Sequence, residues 1–280
     1  MSKRREFVKN GLLASAGIAG LGPITSAFGM PSGKVSPSDR IRVALIGGRN
    51  MGWSNLETFL KFPQVECVSI CDIDDEWLYK RASDVEKIAG KKPVQLVKDW
   101  RKVTDNRDVD AVIVATPDHW HCLQAIAAME AGKDVYCEKP LANSIAECDT
   151  MVRAARKNKR VVQTGQWQRS DPHWQDAVAF IHSGALGRIR TVKVWAYMIW
   201  KKTLPVQPDG PVPPGVDYEM WLGPARHRTF NPNRFHYNFR YFWDYAGGLM
   251  SDWGVHLIDY ALLGMKADLP KAVYTAGGKF

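Results

Sequence analysis

Short aliphatic runs alternate with amphipathic segments through the first half of the chain. Ile41 to Ile46 is such a run, expected of a strand buried on both faces of a parallel sheet, and it stops at Gly47-Gly48. Trp53 to Leu60 then reads as a helix. Val65 to Cys71, Val94 to Val97, Ala111 to Ala115, Asp134 to Cys137 and Val161 to Thr164 read as further strands. Between them, Asp74 to Ala89, a brief stretch from Trp100, His119 to Ala131 and Ile145 to Lys157 carry helical periodicity, and Gly132 is placed for a left-handed C-cap. Strict alternation of strand and helix predicts an α/β domain over 41–165, a doubly wound parallel sheet of the Rossmann type.

The rhythm changes after Gly165. Pro172 to Ser183 reads as one more helix, whereas Ile189 to Met198 alternates like a strand with two different faces. A proline-rich loop from Leu204 to Gly215 leads into an aromatic, arginine-laden stretch from Tyr218 to Tyr245. Gly247-Gly248 precede a helix to Leu263, and Lys271 to Phe280 is expected to begin another strand. Two strands do not make a stable sheet, so the second domain, 166–280, reads as incomplete, with edges that need partners.

Composition changes this picture at the N-terminus. Of the formal charge of +9, Lys3, Arg4, Arg5 and Lys9 against Glu6 supply three, and no basic run follows, so nucleic acid is not an expected partner. Those residues and the weakly apolar run Gly11 to Ala27 resemble a twin-arginine signal over residues 1–30, followed by a polar linker, 31–40. The run is glycine-rich and shorter than the ~20 residues a membrane span needs, so export to the periplasm is expected rather than a stable anchor. Five cysteines without a C-x-x-C pair read as buried thiols of a chain that folds in a reducing compartment.

Candidate chemistry begins at the first turn. Backbone amides at a helix N-terminus can hold a pyrophosphate where no side chain intervenes, and Gly47 and Gly52 occupy the outer positions of G-x-G-x-x-G. The middle glycine is replaced by Arg49, with a glycine displaced to Gly48, which weakens the motif. Asp72, at the end of the second strand and about 20 residues beyond the last glycine, is placed to bind adenosine ribose hydroxyls. An acid there repels a ribose phosphate, so NAD is expected over NADP; Asp74 reads as a helix N-cap. Asn50 and Met51 complete the turn, and Thr116, Asp118 and His121 are placed to line the nucleotide cleft.

Lys139 lies at the carboxyl end of a central strand, where ligands bind in such sheets, and Pro140 holds it extended and permits a cis bond. Asp252 and His256, four apart on an expected helix, share a face, where the carboxylate could orient the imidazole as a general base. The competing reading is a buried, satisfied histidine. Aromatic rings such as Trp243 can stack on sugars while Arg234 bonds hydroxyls, although most of these aromatics read as core. His119 and His121 lack a third ligand at plausible spacing, so no metal is expected.

Together, Gly47 to Gly52, Thr116-Pro117-Asp118, Glu138-Lys139-Pro140 and Asp252-x-x-x-His256 resemble the Gfo/Idh/MocA family of glucose-fructose oxidoreductases and inositol dehydrogenases. The resemblance implies an N-terminal NAD(P)-binding domain and a C-terminal α+β domain with a mostly antiparallel sheet that holds substrate and mediates homo-oligomers. It implies that Lys139 bonds the reacting hydroxyl, His256 takes its proton and Asp252 binds substrate and tunes the histidine. Glu138 falls within the shared motif, Gln166 to Arg169 match a segment near the nicotinamide, and Arg169 is assigned to substrate.

The expected activity is therefore that of an exported oxidoreductase moving hydride between a sugar, glycoside or cyclitol secondary alcohol and a retained nicotinamide. Outside the cytoplasm no nucleotide pool would reoxidise a released cofactor, which favours redox-neutral turnover. One alternative is an NAD-dependent glycoside hydrolase working by oxidation, elimination, hydration and reduction. Another, of a different class, is a non-catalytic sugar-binding or scaffold protein.

Overall fold

A computed structural model describes residues 36–197 and 203–278. The signal expected over residues 1–30 lies outside the described residues. Six strands form one parallel sheet in the order β3-β2-β1-β4-β5-β6: β1 (Ile41–Ile46), β2 (Val65–Cys71), β3 (Gln95–Val97), β4 (Ala111–Val114), β5 (Asp134–Cys137) and β6 (Val162–Thr164). The helices between them are α1 (Asn50–Phe59), α2 (Asp75–Ala89), α3 (Arg101–Asp105), α4 (Asp118–Glu130) and α5 (Ile145–Asn158). Strand order reverses between β1 and β4, the switch point at which ligands bind in open sheets of this kind.

The two faces of β1 explain why its sequence is aliphatic almost throughout. Val43 and Leu45 pack into one core with Leu56 of α1 and Leu78 and Val85 of α2. Ala44 and Ile46 face the other, with Ala125, Ala128 and Met129 of α4 and Met151 of α5. Successive strand side chains point to opposite faces, so a strand covered on both sides must be apolar at every position facing a helix layer. Each such aliphatic side chain contributes roughly 1.5–3 kcal/mol on burial.

The first helix begins at Asn50, earlier than the sequence pattern suggests, because Arg49 adopts an extended N-cap conformation with φ −86° and ψ 163°. Asp74 caps α2 by accepting from the Glu76 amide, and Ser144 caps α5 by accepting from Glu147 N. All five cysteines are free, four of them buried.

Beyond β6 the aromatic stretch folds as a third core, in which Tyr218, Trp221 and Leu222 of α7 (Tyr218–Leu222) pack with Phe230, Phe235, Phe239 and Tyr245. It seats on the sheet domain through Ile73, and His119 Nε2 and Trp120 Nε1 both reach the Trp221 carbonyl at 3.0 Å. α6 (Pro172–His182) lies beside α8 (Val255–Met265), with Trp174 stacked on Tyr260 at 4.0 Å between ring centres.

The strands expected over Ile189 to Met198 and Lys271 to Phe280 do not form among the described residues. Residues 189–197 and 271–278 are irregular, with Trp195, Tyr197, Val273 and Tyr274 at least 71% exposed. An alternating pattern yields a strand only when a neighbouring strand pairs its backbone and a second layer covers its apolar face, and the described residues supply neither there. No helix among the described residues is long and apolar enough to cross a membrane.

Candidate active site

A cleft of about 1000 Å³, counting its open mouth, runs along the carboxyl ends of β1, β2, β4 and β5. Gly47 opens it with φ +90°, and a Cβ there would stand 2.6 Å from the Ala115 carbonyl oxygen, so only glycine fits. A Cβ on Gly52 would stand 1.9 Å from the Gly47 carbonyl oxygen. Gly52 is thus required for close contact between helix and turn rather than for ligand access. Gly48 donates its amide to Asp72 Oδ2 at 2.7 Å and accepts from Arg81 Nε at 2.7 Å, which pins the turn from both sides.

Asp72 lines the cleft, yet its carboxylate already accepts from Gly48 N and, at 3.1 Å, from Asp74 N. Burial pushes its pKa up to about 6. Asn50 and Met51 also line the cleft, as does Arg49, whose guanidinium lies 4.7 Å above the Trp77 ring. The arginine in the middle of the motif rests over that ring while it lines the cleft.

On the opposite wall, Thr116 donates its hydroxyl to Gln124 Oε1 at 2.7 Å. His121 is fully buried, its ring nitrogens 2.7 Å from the carbonyl oxygens of Thr116 and Pro140. It braces the end of β4 against the Lys139-Pro140 corner, where the peptide bond is cis. Glu138 is buried, accepting from Asn55 Nδ2 at 2.7 Å and from Lys139 N at 3.2 Å. Asp118 is buried at the start of α4, and burial pushes its pKa up to about 7.

Lys139 Nζ meets Asp252 Oδ1 at 2.5 Å and the Asp252 carbonyl at 3.0 Å. The other carboxylate oxygen of Asp252 faces Arg240 Nε at 3.4 Å. Arg240 lies over the rings of Tyr237 and Phe239 and lines the cleft with them. Residues 113 apart in sequence thus meet at the cleft where the two parts of the chain come together.

The expected pairing of Asp252 with His256 takes a different form. Met250–Gly254 is a π turn leading into α8, so the two side chains do not stack as α-helical spacing predicts. Asp252 is committed to Lys139 and Arg240 instead, while His256 packs edge-on against Trp167 at 6.5 Å, its Nδ1 buried without a hydrogen-bond partner. Burial, then Lys139, lowers the His256 pKa, so the ring is neutral near pH 7.

Four other expected site residues lie apart from the cleft lining among the described residues. Gln166 caps the short turn Trp167–Ser170, and Arg169 in that turn forms a bidentate ion pair with Asp259 of α8 at 2.5 and 2.7 Å. Arg234 is committed to the Thr229 carbonyl and to Asp209, bracing its own loop, and Trp243 is 87% exposed. The Asp259 carboxylate fills the Arg169 fork, which leaves fewer donors for a hydroxyl, whereas Arg234 makes both contacts through Nη2 and its Nε has no hydrogen-bond partner. Sequence reasoning missed Arg240, Arg81, Asn55 and His236. The nearest signal was the arginine content of the aromatic stretch, which does not distinguish Arg240 from Arg234.

Residues 41–166 match the oxidoreductase family described as having an NAD-binding Rossmann fold, and residues 174–276 match the C-terminal alpha/beta domain of the same family. A glycosyl hydrolase family 109 protein of Shewanella pealeana is 32% identical over 171 residues, covering 56% of this chain and 38% of the relative. Inositol 2-dehydrogenase 1 of Saccharopolyspora erythraea is 35% identical over 152 residues, covering 52% of this chain and 43% of the relative. The chain thus spans less than half the length of these two relatives. A crystal structure of a probable dehydrogenase from Thermotoga maritima shares the fold, with TM-score 0.54 and 21% identity over 81% of this chain and 55% of that one. With both family domains matched in order around one cleft, the chain belongs to the Gfo/Idh/MocA oxidoreductase family.

Proposed function

We propose that this chain forms the reacting half of a dinucleotide-dependent oxidoreductase that acts on a secondary alcohol of a sugar, glycoside or cyclitol. The nucleotide domain spans 41–165, with the substrate domain in 166–280. The observation that carries the reading is the Lys139–Asp252 contact at the cleft mouth, where a strand-end ammonium and a carboxylate from the second domain converge. The open backbone at Gly47 and the cationic Arg49 suit a dinucleotide phosphate. When bound, the nicotinamide supplies a hydride acceptor or donor.

Gly47, Asn50 and Met51 hold the nucleotide from one wall of the cleft, with Asp72 at the ribose end, and Thr116, Asp118, Glu138 and Lys139 hold it from the other. Lys139 donates a hydrogen bond to the reacting oxygen, and Asp252 keeps the ammonium aimed. His256, neutral near pH 7, takes the hydroxyl proton at Nε2, the ring nitrogen that is not shut away. Asp72 favours NAD through the ribose hydroxyls.

The segment from Lys3 to Ala27 supports export by the twin-arginine route with the nucleotide loaded, and the exposed apolar residues of 189–197 support homo-oligomers. The likeness to a glycosyl hydrolase family 109 protein favours a second reading, hydrolysis of a glycoside through a transient ketone without net change in the nucleotide. The test is to purify the chain, identify bound nucleotide by absorbance and mass, and assay sugars, cyclitols and aryl glycosides. Net NADH formation selects the dehydrogenase, and aglycone release without NADH selects the hydrolase. Turnover that survives Lys139→Ala unchanged removes the mechanism, and absence of nucleotide binding points to a non-catalytic sugar-binding protein.

A further inference from the structure

We infer that Arg49 is a phosphate ligand of the bound dinucleotide, holding either its pyrophosphate or a phosphate on its adenosine ribose. This rests on the nucleotide-binding reading above and assigns a role to the residue that breaks the glycine motif. Arg49 sits between Gly48 and Asn50 and lines the cleft beside Gly47 and Asp72. Its Nε and Nη1 are shut from water and have no hydrogen-bond partner. Its visible support is Trp77, over which the Arg81 guanidinium also lies, 5.0 Å from the ring centre. Two cations on one ring repel each other, and only one of them is otherwise satisfied: Arg81 bonds Gly48 O and Asp84, at 2.7 and 2.6 Å.

The acids nearby do not fill the gap. Asp72 is committed to the amides of Gly48 and Asp74, while Asp74 is committed to Glu76 N and to His236 Nε2. Burial lowers the Arg49 pKa, which is what a cation short of partners does, though an arginine stays charged. A guanidinium fork matches a phosphate with two parallel N–H bonds, and a charge-assisted pair in a partly dry cleft is stronger than one in water. Because Arg49 already lines the cleft, rotation about its own torsions turns its fork from the ring face toward a bound anion. Trp77 then serves as the resting platform, held by the cation–π attraction until an anion arrives.

The test is equilibrium binding by calorimetry to the full chain and to Arg49→Met and Arg49→Lys variants, with adenosine, ADP, 2′,5′-ADP, NADH and NADPH as probes. Thermal unfolding checks that each variant is folded. Arg49→Met should weaken the probes that carry the contacted phosphate, ADP with NADH or 2′,5′-ADP with NADPH, by about 10- to 100-fold while leaving adenosine unchanged, and Arg49→Lys should recover part of the loss by restoring the charge. A larger loss for 2′,5′-ADP and NADPH than for ADP and NADH places the contact at the ribose phosphate; an equal loss places it at the pyrophosphate. Equal losses for adenosine and ADP, or none for any probe, would overturn the inference while leaving nucleotide binding intact. A wild-type chain that binds no dinucleotide would overturn the functional reading together with it.

Discussion

Replacing Asp252 tests whether the cleft mouth is built around one carboxylate serving two cations. Its Oδ1 is 2.5 Å from Lys139 Nζ and its Oδ2 is 3.4 Å from Arg240 Nε, and the Lys139 and Asp252 side chains are only 13% and 12% exposed. Asp252→Asn preserves shape but leaves an ammonium and a guanidinium facing a neutral amide. Removing one partner of a buried pair costs about 3–5 kcal/mol, because the remaining charge is uncompensated. Asp118 moderates this. The Asp252 charge helps hold the Asp118 pKa up, so in the variant Asp118 ionises more readily and takes over part of the compensation. The expected loss is therefore at the lower end, about 3 kcal/mol.

Lys139→Met is the control. It keeps the apolar stem and removes one cation, yet Asp252 retains Arg240, so the expected loss is only roughly 1–2 kcal/mol. Urea unfolding followed by tryptophan fluorescence near neutral pH measures both, with the m-value required to stay constant. A loss on Lys139→Met equal to or larger than that on Asp252→Asn would refute the reasoning. Asp252 would then belong to Lys139 alone, and Arg240 would have no part in the site.

Three further outcomes follow from the same geometry. Gly52→Ala forces a Cβ to within 1.9 Å of the Gly47 carbonyl and should cost about 3 kcal/mol or more in thermal or urea unfolding; a variant as stable as the parent would show that the turn can give way. The raised pKa of Asp118, about 7 against an ordinary 3.8, means the folded state holds its proton more tightly, so this contribution to stability is full below 3.8 and is lost as pH rises through about 7. Asp118→Asn should flatten that decline, and pH-dependent unfolding curves of equal slope for both proteins would contradict the burial argument. Finally, with His256 as base, the acid limb of kcat/KM should break below the ordinary histidine value of 6.5, since burial and Lys139 favour the neutral ring; a break above 6.5 would exclude it.

The sheet and its cofactor side were legible in the sequence because local rules govern them. A strand covered on both faces must be aliphatic, a turn that presents backbone must be glycine, and Asp74 before a helix caps it, so β1, Gly47 and the start of α2 follow from short-range chemistry. The Lys139-Pro140 corner was legible for the same reason, since its place at a strand end follows from counting strands.

Tertiary structure decided what depends on partners distant in the chain. The alternating residues from Ile189 resemble a strand, but alternation specifies faces and not a neighbour, and without pairing the segment stays irregular. Four-residue spacing suggested that Asp252 orients His256, yet a π turn changes the register and the carboxylate turns to Lys139 and Arg240. Arg49 in the middle of a glycine motif reads as an obstruction until Trp77, from the next helix, provides a ring for it to lie on. Periodicity and turn chemistry act within a few residues and are written locally. Which charge meets which is fixed only when the whole chain closes around the cleft, because pairing energy depends on distance and burial that no spacing encodes.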